Sequence, residues 1–161
     1  MKIYLDDART PLDTSWKIVR NYDEFIAKVK LFIVNRHPFT EYFEKDEPLP
    51  VNPQVYPGIN ISFDHDLADS HYTPPHLWDD YDASKKWQDE QVHTEKTGYD
   101  CAKWLMKMGI LPEMFWVHSA NPVGADNILG LINNYYKEYG YTQRGFRTFW
   151  EVEPNHIDDI Q

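Results

Sequence analysis

Cysteine is almost missing from this sequence, since Cys101 is the only one among 161 residues. A single cysteine excludes an internal disulfide framework and a cluster of thiolate metal ligands. The predicted position of Cys101 on a helix favours a packed thiol over a nucleophile. The sequence therefore predicts a protein of a reducing compartment.

Positive charge is also scarce. The chain has 16 Lys and Arg residues against 26 Asp and Glu residues, a formal net charge of −10. Binding to duplex nucleic acid without sequence preference, or to an anionic membrane surface, relies on clustered Lys and Arg. We therefore expect no duplex nucleic acid and no membrane among the partners. A small phosphorylated ligand held through a metal remains compatible with the acidic composition.

Long apolar runs are missing as well. No run approaches the roughly 20 residues of a membrane span, and Asp6 and Asp7 come before any apolar stretch. We therefore expect a cytoplasmic protein. Hydrophobic residues make up 42% of the chain, which suffices for one ordinary core, so residues 1–161 predict a single domain. The sequence does not indicate an oligomeric state.

Strands and helices are predicted in alternation along the chain. Phe25, Ile26, Val29, Phe32 and Ile33 repeat at helical spacing after Asn21. Further helices are predicted over residues 97–108 and 125–139, and strands over residues 2–5, 16–20, 59–63, 114–117 and 146–152. Two irregular insertions, about 38–58 and 69–96, interrupt this pattern, and the second includes a short predicted helix over 83–91. Such alternation indicates a three-layer α/β domain with a mostly parallel sheet.

Acidic residues follow two of the predicted strands. Asp6 and Asp7 end the first strand, and Asp64 ends the strand at 59–63. In open α/β sheets these strand ends meet at one edge, where clustered carboxylates repel one another unless they share a proton or a cation. The alternative is that each Asp caps a helix or turn. Matching acids on two strands favour a Mg²⁺ or Mn²⁺ site formed by Asp6, Asp7 and Asp64.

Two histidines accompany these strand ends. If the strand continues past Asp64, then Asp64 and Asp66 share one face and His65 points away; if it ends there, the turn returns His65 to the pocket. His118 follows a different strand. Both imidazoles are candidates for acid–base chemistry, because this ring titrates near neutral pH.

The segment after His118 predicts a phosphate site. Ser119, Asn121 and Gly124 directly precede a helix, and successive backbone N–H groups with a helix N-terminus attract anions. Four arginines are candidate phosphate clamps, of which Arg9 is nearest to the acidic pair: Arg9, Arg20, Arg144 and Arg147. Four aromatic residues of the second insertion either stack a base or pack the insertion onto the body: Tyr72, Trp78, Tyr81 and Trp87.

Four motifs together resemble the cyclic-phosphate processing receiver domains, a divergent family of the phosphorelay receiver superfamily. They are Leu-Asp-Asp-Ala-Arg-Thr-Pro at 5–11, Ser-Phe-Asp-His-Asp-Leu at 62–67, Thr-Gly-Tyr-Asp at 97–100 and Val-His-Ser-Ala-Asn-Pro-Val-Gly at 117–124. The resemblance covers the strand and helix frame but not the insertions. It implies a receiver-like (flavodoxin-like) five-stranded sheet.

The resemblance also implies roles for single residues. In receivers, the acids that match Asp6 and Asp7 bind Mg²⁺, the residue that matches Asp64 accepts a phosphoryl group, and the one that matches Ser119 senses it. No lysine occurs after Tyr141, which argues against phosphorelay switching. In the cyclic-phosphate family, the proposed activity on nucleotides or RNA ends depends on histidines, here His65 and His118.

These observations predict a metal-assisted phosphoesterase that acts on a cyclic phosphate of a nucleotide or RNA end. Asp64 serves as a metal ligand or as a nucleophile in this hypothesis. The predicted catalytic residues are His65, His118, Asp64 and Ser119, and the predicted substrate-binding residues are Arg9, Asn121, Gly124 and Thr97. One alternative is a non-catalytic receiver-like module that binds a phosphorylated ligand or partner. A haloacid-dehalogenase type phosphatase ranks last, because that family has its Asp-x-Asp after the first strand of its core.

Overall fold

A five-stranded sheet with four parallel strand pairs forms the centre of the computed structural model, which describes residues 1–36, 39–68, 73–90 and 95–154. The strands are β1 (Lys2–Leu5), β2 (Trp16–Val19), β3 (Gln54–Phe63), β4 (Ile110–Val117) and β5 (Gly145–Arg147). The helices are α1 (Tyr22–Val34), α2 (Thr40–Glu44), α3 (Tyr81–Glu90), α4 (Gly98–Met108) and α5 (Pro122–Glu138). The strand order β2-β1-β3-β4-β5 confirms the predicted receiver-like fold.

Local signals fix the ends of the main helices. The Asn21 side chain accepts a hydrogen bond from the Glu24 N–H at 2.9 Å and so caps α1. Thr97 and Asp100 form a complete capping box at the start of α4. Gly109 ends α4 in the left-handed conformation, with φ of 79°, which glycine adopts without steric penalty.

Three helices cover one face of the sheet. The connections that contain α1, α4 and α5 all advance across the sheet in the same direction, so right-handed crossovers place these helices on the same side. There, α4 packs between α1 and α5. The strand side chains that form the core with them are Ile3, Leu5, Ile61, Phe63, Phe115 and Val117.

Within the described residues, extended chain covers the opposite face. The connection from β1 to β2, residues 6–15, contains no helix, and residues 148–154 cross over it in an antiparallel contact between Pro11 and Val152. The Trp150 ring packs on Trp16 at 5.2 Å and on Trp116 at 5.5 Å between centroids. The third layer of the predicted three-layer domain is therefore thin and aromatic in the described residues.

The last predicted strand, residues 146–152, is wrong beyond Arg147. Pairing with β4 ends at Arg147, and the chain then leaves the sheet edge. Leu12 donates a backbone hydrogen bond to Glu151 at 2.9 Å, and Glu153 donates one to Thr10 at 2.8 Å. This segment instead packs on the open face of the sheet through the Trp150 ring.

The first insertion is more regular than predicted. It contains α2 and the beginning of β3, because Gln54, Val55 and Tyr56 pair with the start of β4. The register shifts between Tyr56 and Asn60, where Pro57 and Gly58 lie. The two prolines Pro57 and Pro112 concealed these longer strands, because proline ordinarily interrupts a ladder.

The second insertion contains a 3₁₀ turn (Pro75–Leu77) and α3, which begins two residues before the predicted start of 83. Gln91, the predicted end of that helix, and Tyr72 lie outside the described residues. Helix α5 begins at Pro122, three residues earlier than predicted. Among the described helices, none has the length and apolarity that crossing a membrane requires.

Candidate active site

A cavity of about 530 Å³ lies at the carboxyl ends of the strands. One part of its wall is acidic and consists of Asp6, Asp64 and Asp66. Another part comes from the second insertion and consists of Thr73, Trp78 and Ser84. Its volume falls within the range of roughly 300–1,000 Å³ that is typical of small-molecule sites.

The three predicted metal ligands lie together, and two of them, Asp6 and Asp64, line this cavity. Asp6, Asp7 and Asp64 each offer a carboxylate oxygen within 4.8 Å of the others. Asp6 and Asp64 are buried, and Asp7 is half-buried. Three carboxylates at this spacing fit a hard divalent cation such as Mg²⁺ or Mn²⁺, which prefers oxygen ligands.

Asp6 is held as a carboxylate by several donors. Its Oδ1 accepts the backbone N–H groups of Ala8 and Arg9 at 2.9 and 2.7 Å, and its Oδ2 accepts Arg9 Nε at 2.8 Å and His118 Nε2 at 3.1 Å. Burial alone would raise the pKa of Asp6. The hydrogen bonds from His118 and the Arg9 backbone, together with the Arg9 charge, outweigh burial and hold this pKa below its ordinary value.

Asp64 has the opposite electrostatic environment. Burial, followed by the charge of Asp6, raises the pKa of Asp64 to about 8. Arg9 Nη2, 3.4 Å from Asp64 Oδ2, and a hydrogen bond from Ser119 offset this increase in part. Without a cation, Asp64 is therefore mostly protonated at neutral pH. The part of this rise that comes from the Asp6 charge is the mutual repulsion that the matching strand-end acids predict.

His118 belongs to a buried hydrogen-bond chain. The Asp6 carboxylate can only accept a hydrogen bond, so His118 Nε2 carries a proton and donates a hydrogen bond to this carboxylate. The His118 ring also stacks on the Tyr4 ring, with 4.3 Å between centroids. Burial lowers the pKa of His118 and favours the neutral ring, so its Nδ1 accepts from Ser62 Oγ at 2.7 Å. Ser62 Oγ in turn accepts from Trp150 Nε1 at 2.8 Å. Both ring nitrogens thus have protein partners.

His65 lies behind the acidic wall. Its Nδ1 is 2.7 Å from Asp66 Oδ1, and Asn121 Nδ2 donates to the same oxygen at 3.3 Å. Asp64 and Asp66 line the cavity, whereas the His65 ring packs against Gly124, where an added Cβ would lie 2.3 Å from its Cγ. The strand β3 ends at Phe63, yet the turn after it does not return His65 to the cavity, so the expectation for a strand that ends here is wrong.

The remaining predicted binding residues divide into those that line the cavity and those that support it. Arg9 and Asn121 line it. The Ser119 hydroxyl lowers the pKa of Asp64 and accepts the Asn121 N–H at 3.1 Å. Gly124 donates its N–H to the Asn121 side chain at 3.0 Å, and Thr97 caps α4.

The other three candidate arginines hold backbone carbonyls. Arg20 Nη1 donates to the Asp6 and Arg9 carbonyls at 3.0 and 2.7 Å and so fixes the loop that carries the acidic pair. Arg144 donates to a carbonyl of β4, and Arg147 donates to the Ser119 carbonyl at 3.1 Å. Their hydrogen bonds stabilise the frame of the site.

Sequence reasoning gave no role to three residues of this network. Asp66 lines the cavity, and its alternation with Asp64 was the available signal. Ser62 was detectable as a polar residue within a buried strand. Trp150 had no signal, because it reaches Ser62 across 88 positions of sequence.

A parallel sheet of order β2-β1-β3-β4-β5, with acids at the ends of β1 and β3, defines a receiver-like domain. The model of the family described as cyclic-phosphate processing receiver domain matches residues 1–134, and the chain belongs to this family. No curated protein and no solved structure matches the chain. The family match ends within α5, so Trp150 lies beyond it.

Proposed function

We propose that this protein is a metal-assisted phosphoesterase that opens the cyclic phosphate of a nucleotide or RNA end. The supporting observation is the set of three carboxylates gathered from two strand ends, of which Asp6 and Asp64 line a cavity of small-molecule size. Membership of a cyclic-phosphate processing family supports the same substrate class. Asp6, Asp7 and Asp64 would hold Mg²⁺ or Mn²⁺, and the bound cation would polarise a phosphoryl oxygen.

Asp66 is the proposed proton acceptor. Water attacks phosphorus and gives its proton to Asp66, the P–O bond to the leaving ring oxygen breaks, and Asp66 returns the proton to that oxygen. The 2.7 Å contact with His65 Nδ1 holds the Asp66 carboxylate in place. This assignment needs no change in the orientation of His65.

The two histidines act as positioning residues in this proposal. Each ring contacts one cavity carboxylate: His118 contacts Asp6 at 3.1 Å, and His65 contacts Asp66 at 2.7 Å. Hydrogen bonds from neighbouring side chains to a buried carboxylate fix its orientation and offset the unfavourable burial of its charge. Arg9 and Asn121, which line the cavity, would orient the phosphate.

Turnover measurements test the proposal. 2′,3′-Cyclic mononucleotides, cyclic dinucleotides and RNA with 2′,3′-cyclic ends are incubated with Mg²⁺, Mn²⁺ or chelator. We expect product with metal and none with chelator, and loss of product in Asp64→Asn. Asp13→Asn is the control, since Asp13 is exposed and pairs with Lys2 away from the cavity. Turnover that survives both chelator and Asp64→Asn would contradict the proposal.

A non-catalytic module that binds a phosphorylated ligand is the second candidate. The observation that favours it is the engagement of both His118 nitrogens, which directs neither of them to the cavity. A stable, metal-dependent complex with a cyclic nucleotide that forms without product would support this candidate.

A further inference from the structure

We infer that the exposed ring of Trp78 is a base-stacking surface and that the ligand of the cavity is a single nucleotide. This inference rests on the proposed function, because it assumes that the phosphate end of the ligand lies at the acidic wall. In this inference, Trp78 of the second insertion contacts the base of the ligand. The ligand is a mononucleotide and not a longer RNA.

Trp78 combines exposure with a position in the cavity wall. It is 65% exposed and lines the cavity. Among the large hydrophobic side chains that are exposed in the described ranges, no other lines this cavity. A large apolar ring open to solvent inside a binding cavity is a feature that ligands cover.

The ring is held in a fixed orientation. Trp78 Nε1 donates to the Thr73 carbonyl at 2.7 Å, so the polar edge of the indole is satisfied within the insertion and its apolar faces remain for contact. Gln88 Nε2 donates to Thr73 Oγ1 at 3.0 Å, which ties α3 to the same point. The Ser84 hydroxyl donates to the Leu77 carbonyl.

The insertion is also attached to the body of the domain. The Tyr81 hydroxyl donates to Asp126 Oδ2 on α5 at 2.8 Å, and α3 packs on α5. Trp78 therefore has a defined place relative to the acidic wall, since Asn121 at the start of α5 lines the same cavity. A preformed surface limits the entropy lost when a ligand binds.

The two kinds of wall match the two ends of a nucleotide. The anionic phosphate of a nucleotide would bind at the acidic wall, through the metal and Arg9. Its flat base would stack on the Trp78 ring. Base stacking on aromatic side chains contributes about 1–3 kcal/mol per base and tolerates every base, so we expect weak discrimination among bases. The net charge of −10 disfavours a longer polyanion.

Binding of two probes in the presence of Mn²⁺ tests the inference; it is measured as KM where product forms and by calorimetric titration where none does. The first is 2′,3′-cyclic AMP, and the second is glycerol 1,2-cyclic phosphate, which has the same five-membered phosphate ring and no base. We expect Trp78→Ala to weaken binding of 2′,3′-cyclic AMP roughly 5- to 150-fold, the equivalent of about 1–3 kcal/mol. Binding of the base-free probe should not change, and Trp78→Tyr should retain most of the affinity for the nucleotide.

Phe149→Ala is the matched control, because Phe149 is also 65% exposed but does not line the cavity. It should leave both affinities unchanged. The inference is overturned if the wild-type protein does not bind 2′,3′-cyclic AMP. It is also overturned if Trp78→Ala leaves the affinity for this nucleotide unchanged or lowers the affinity for both probes equally. If a ten-nucleotide RNA with a 2′,3′-cyclic end binds more tightly than 2′,3′-cyclic AMP, the inference that the ligand is a single nucleotide is overturned.

These outcomes separate the inference from the proposed chemistry. Binding that depends on Trp78 without product formation supports the inference and contradicts the phosphoesterase. Turnover of both probes at rates that Trp78→Ala leaves unchanged supports the phosphoesterase and overturns the inference.

Discussion

At the scale of the residue, Asp64 makes the stability of the metal-free protein depend on pH. Its pKa is about 8 in the folded state and about 3.9 in an unfolded chain. Between these values the unfolded chain binds fewer protons than the folded one, so stability falls as pH rises from about 4 to about 8. We expect a loss on the order of several kcal/mol across this window in chelator.

Urea unfolding of wild type and Asp64→Asn at pH 5 and pH 8, both in chelator, checks this prediction. The amide does not ionise, so Asp64→Asn should remove most of the pH dependence and be the more stable protein at pH 8. Mn²⁺ should restore wild-type stability at pH 8 by replacing the proton. Equal pH dependence in the two proteins would show that Asp64 is not the titrating group.

His118 gives a second prediction at this scale. If the ring positions Asp6, His118→Ala should weaken metal affinity and lower turnover by roughly 10- to 100-fold. An acid–base role would instead lower kcat by about 10²- to 10⁴-fold and leave metal affinity unchanged. Titration with Mn²⁺, alongside kcat measurement, distinguishes the two. His76→Ala is the control, because His76 is exposed and does not line the cavity.

The convergence of Asp6, Asp7 and Asp64 was predictable because parallel strands bring their carboxyl ends to one edge regardless of side-chain detail. The orientations of the histidines were not. His118 is fixed by Ser62 and, through it, by Trp150, both of which are distant in sequence. A strand pattern contains no information on such partners.

At the scale of the element, the first turns of α4 and α5 approach the strand that carries the Asp64 motif. A Cβ on Gly98 would lie 1.8 Å from the Asp64 carbonyl oxygen, and a Cβ on Gly124 would lie 2.3 Å from the His65 ring. Gly98 also donates its N–H to the His65 carbonyl at 2.8 Å. These two glycines allow the helix ends to contact the site directly.

Two glycines of α5 therefore give opposite predictions. Gly124→Ala should destabilise the protein by roughly 1–3 kcal/mol, since the crowded His65 ring must move. Gly130→Ala should stabilise it by about 0.5–1 kcal/mol, because nothing lies within 4 Å of the added methyl and alanine favours the helix. Urea unfolding measures both, and Gly124→Ala as stable as wild type would contradict the packing argument.

The long helices α1, α4 and α5 were predictable because their signals are local. Asn21, Thr97 and Gly109 mark helix ends in the sequence and in the structure. The early start of β3 and the short β5 were not predictable, since each depends on a partner strand. Pro57 and Pro112 obscured the first, and packing of Trp150 on the sheet replaced the second.

At the scale of the whole molecule, the described part of the second insertion, residues 73–90, contributes no strand to the sheet and no residue to the hydrophobic core. Replacing residues 70–95 by a Gly/Ser linker should preserve folding, because the core residues lie elsewhere, and should weaken binding of 2′,3′-cyclic AMP by removing Trp78 from the cavity. Circular dichroism and calorimetric titration check the two parts. Loss of folding would show that the insertion contributes to the core, and unchanged affinity would contradict a binding role.

The antiparallel contact between Pro11 and Val152 also defines how mechanical force would travel through the domain. Residues 151–153 are hydrogen-bonded to residues 10–12, so tension applied at residue 154 reaches the chain next to Asp7 without first passing through the five-stranded sheet. The loop that holds Asp6 and Asp7 would thus carry part of this tension directly. Stretching this protein from its C-terminal side should therefore disturb the acidic cluster before the core yields.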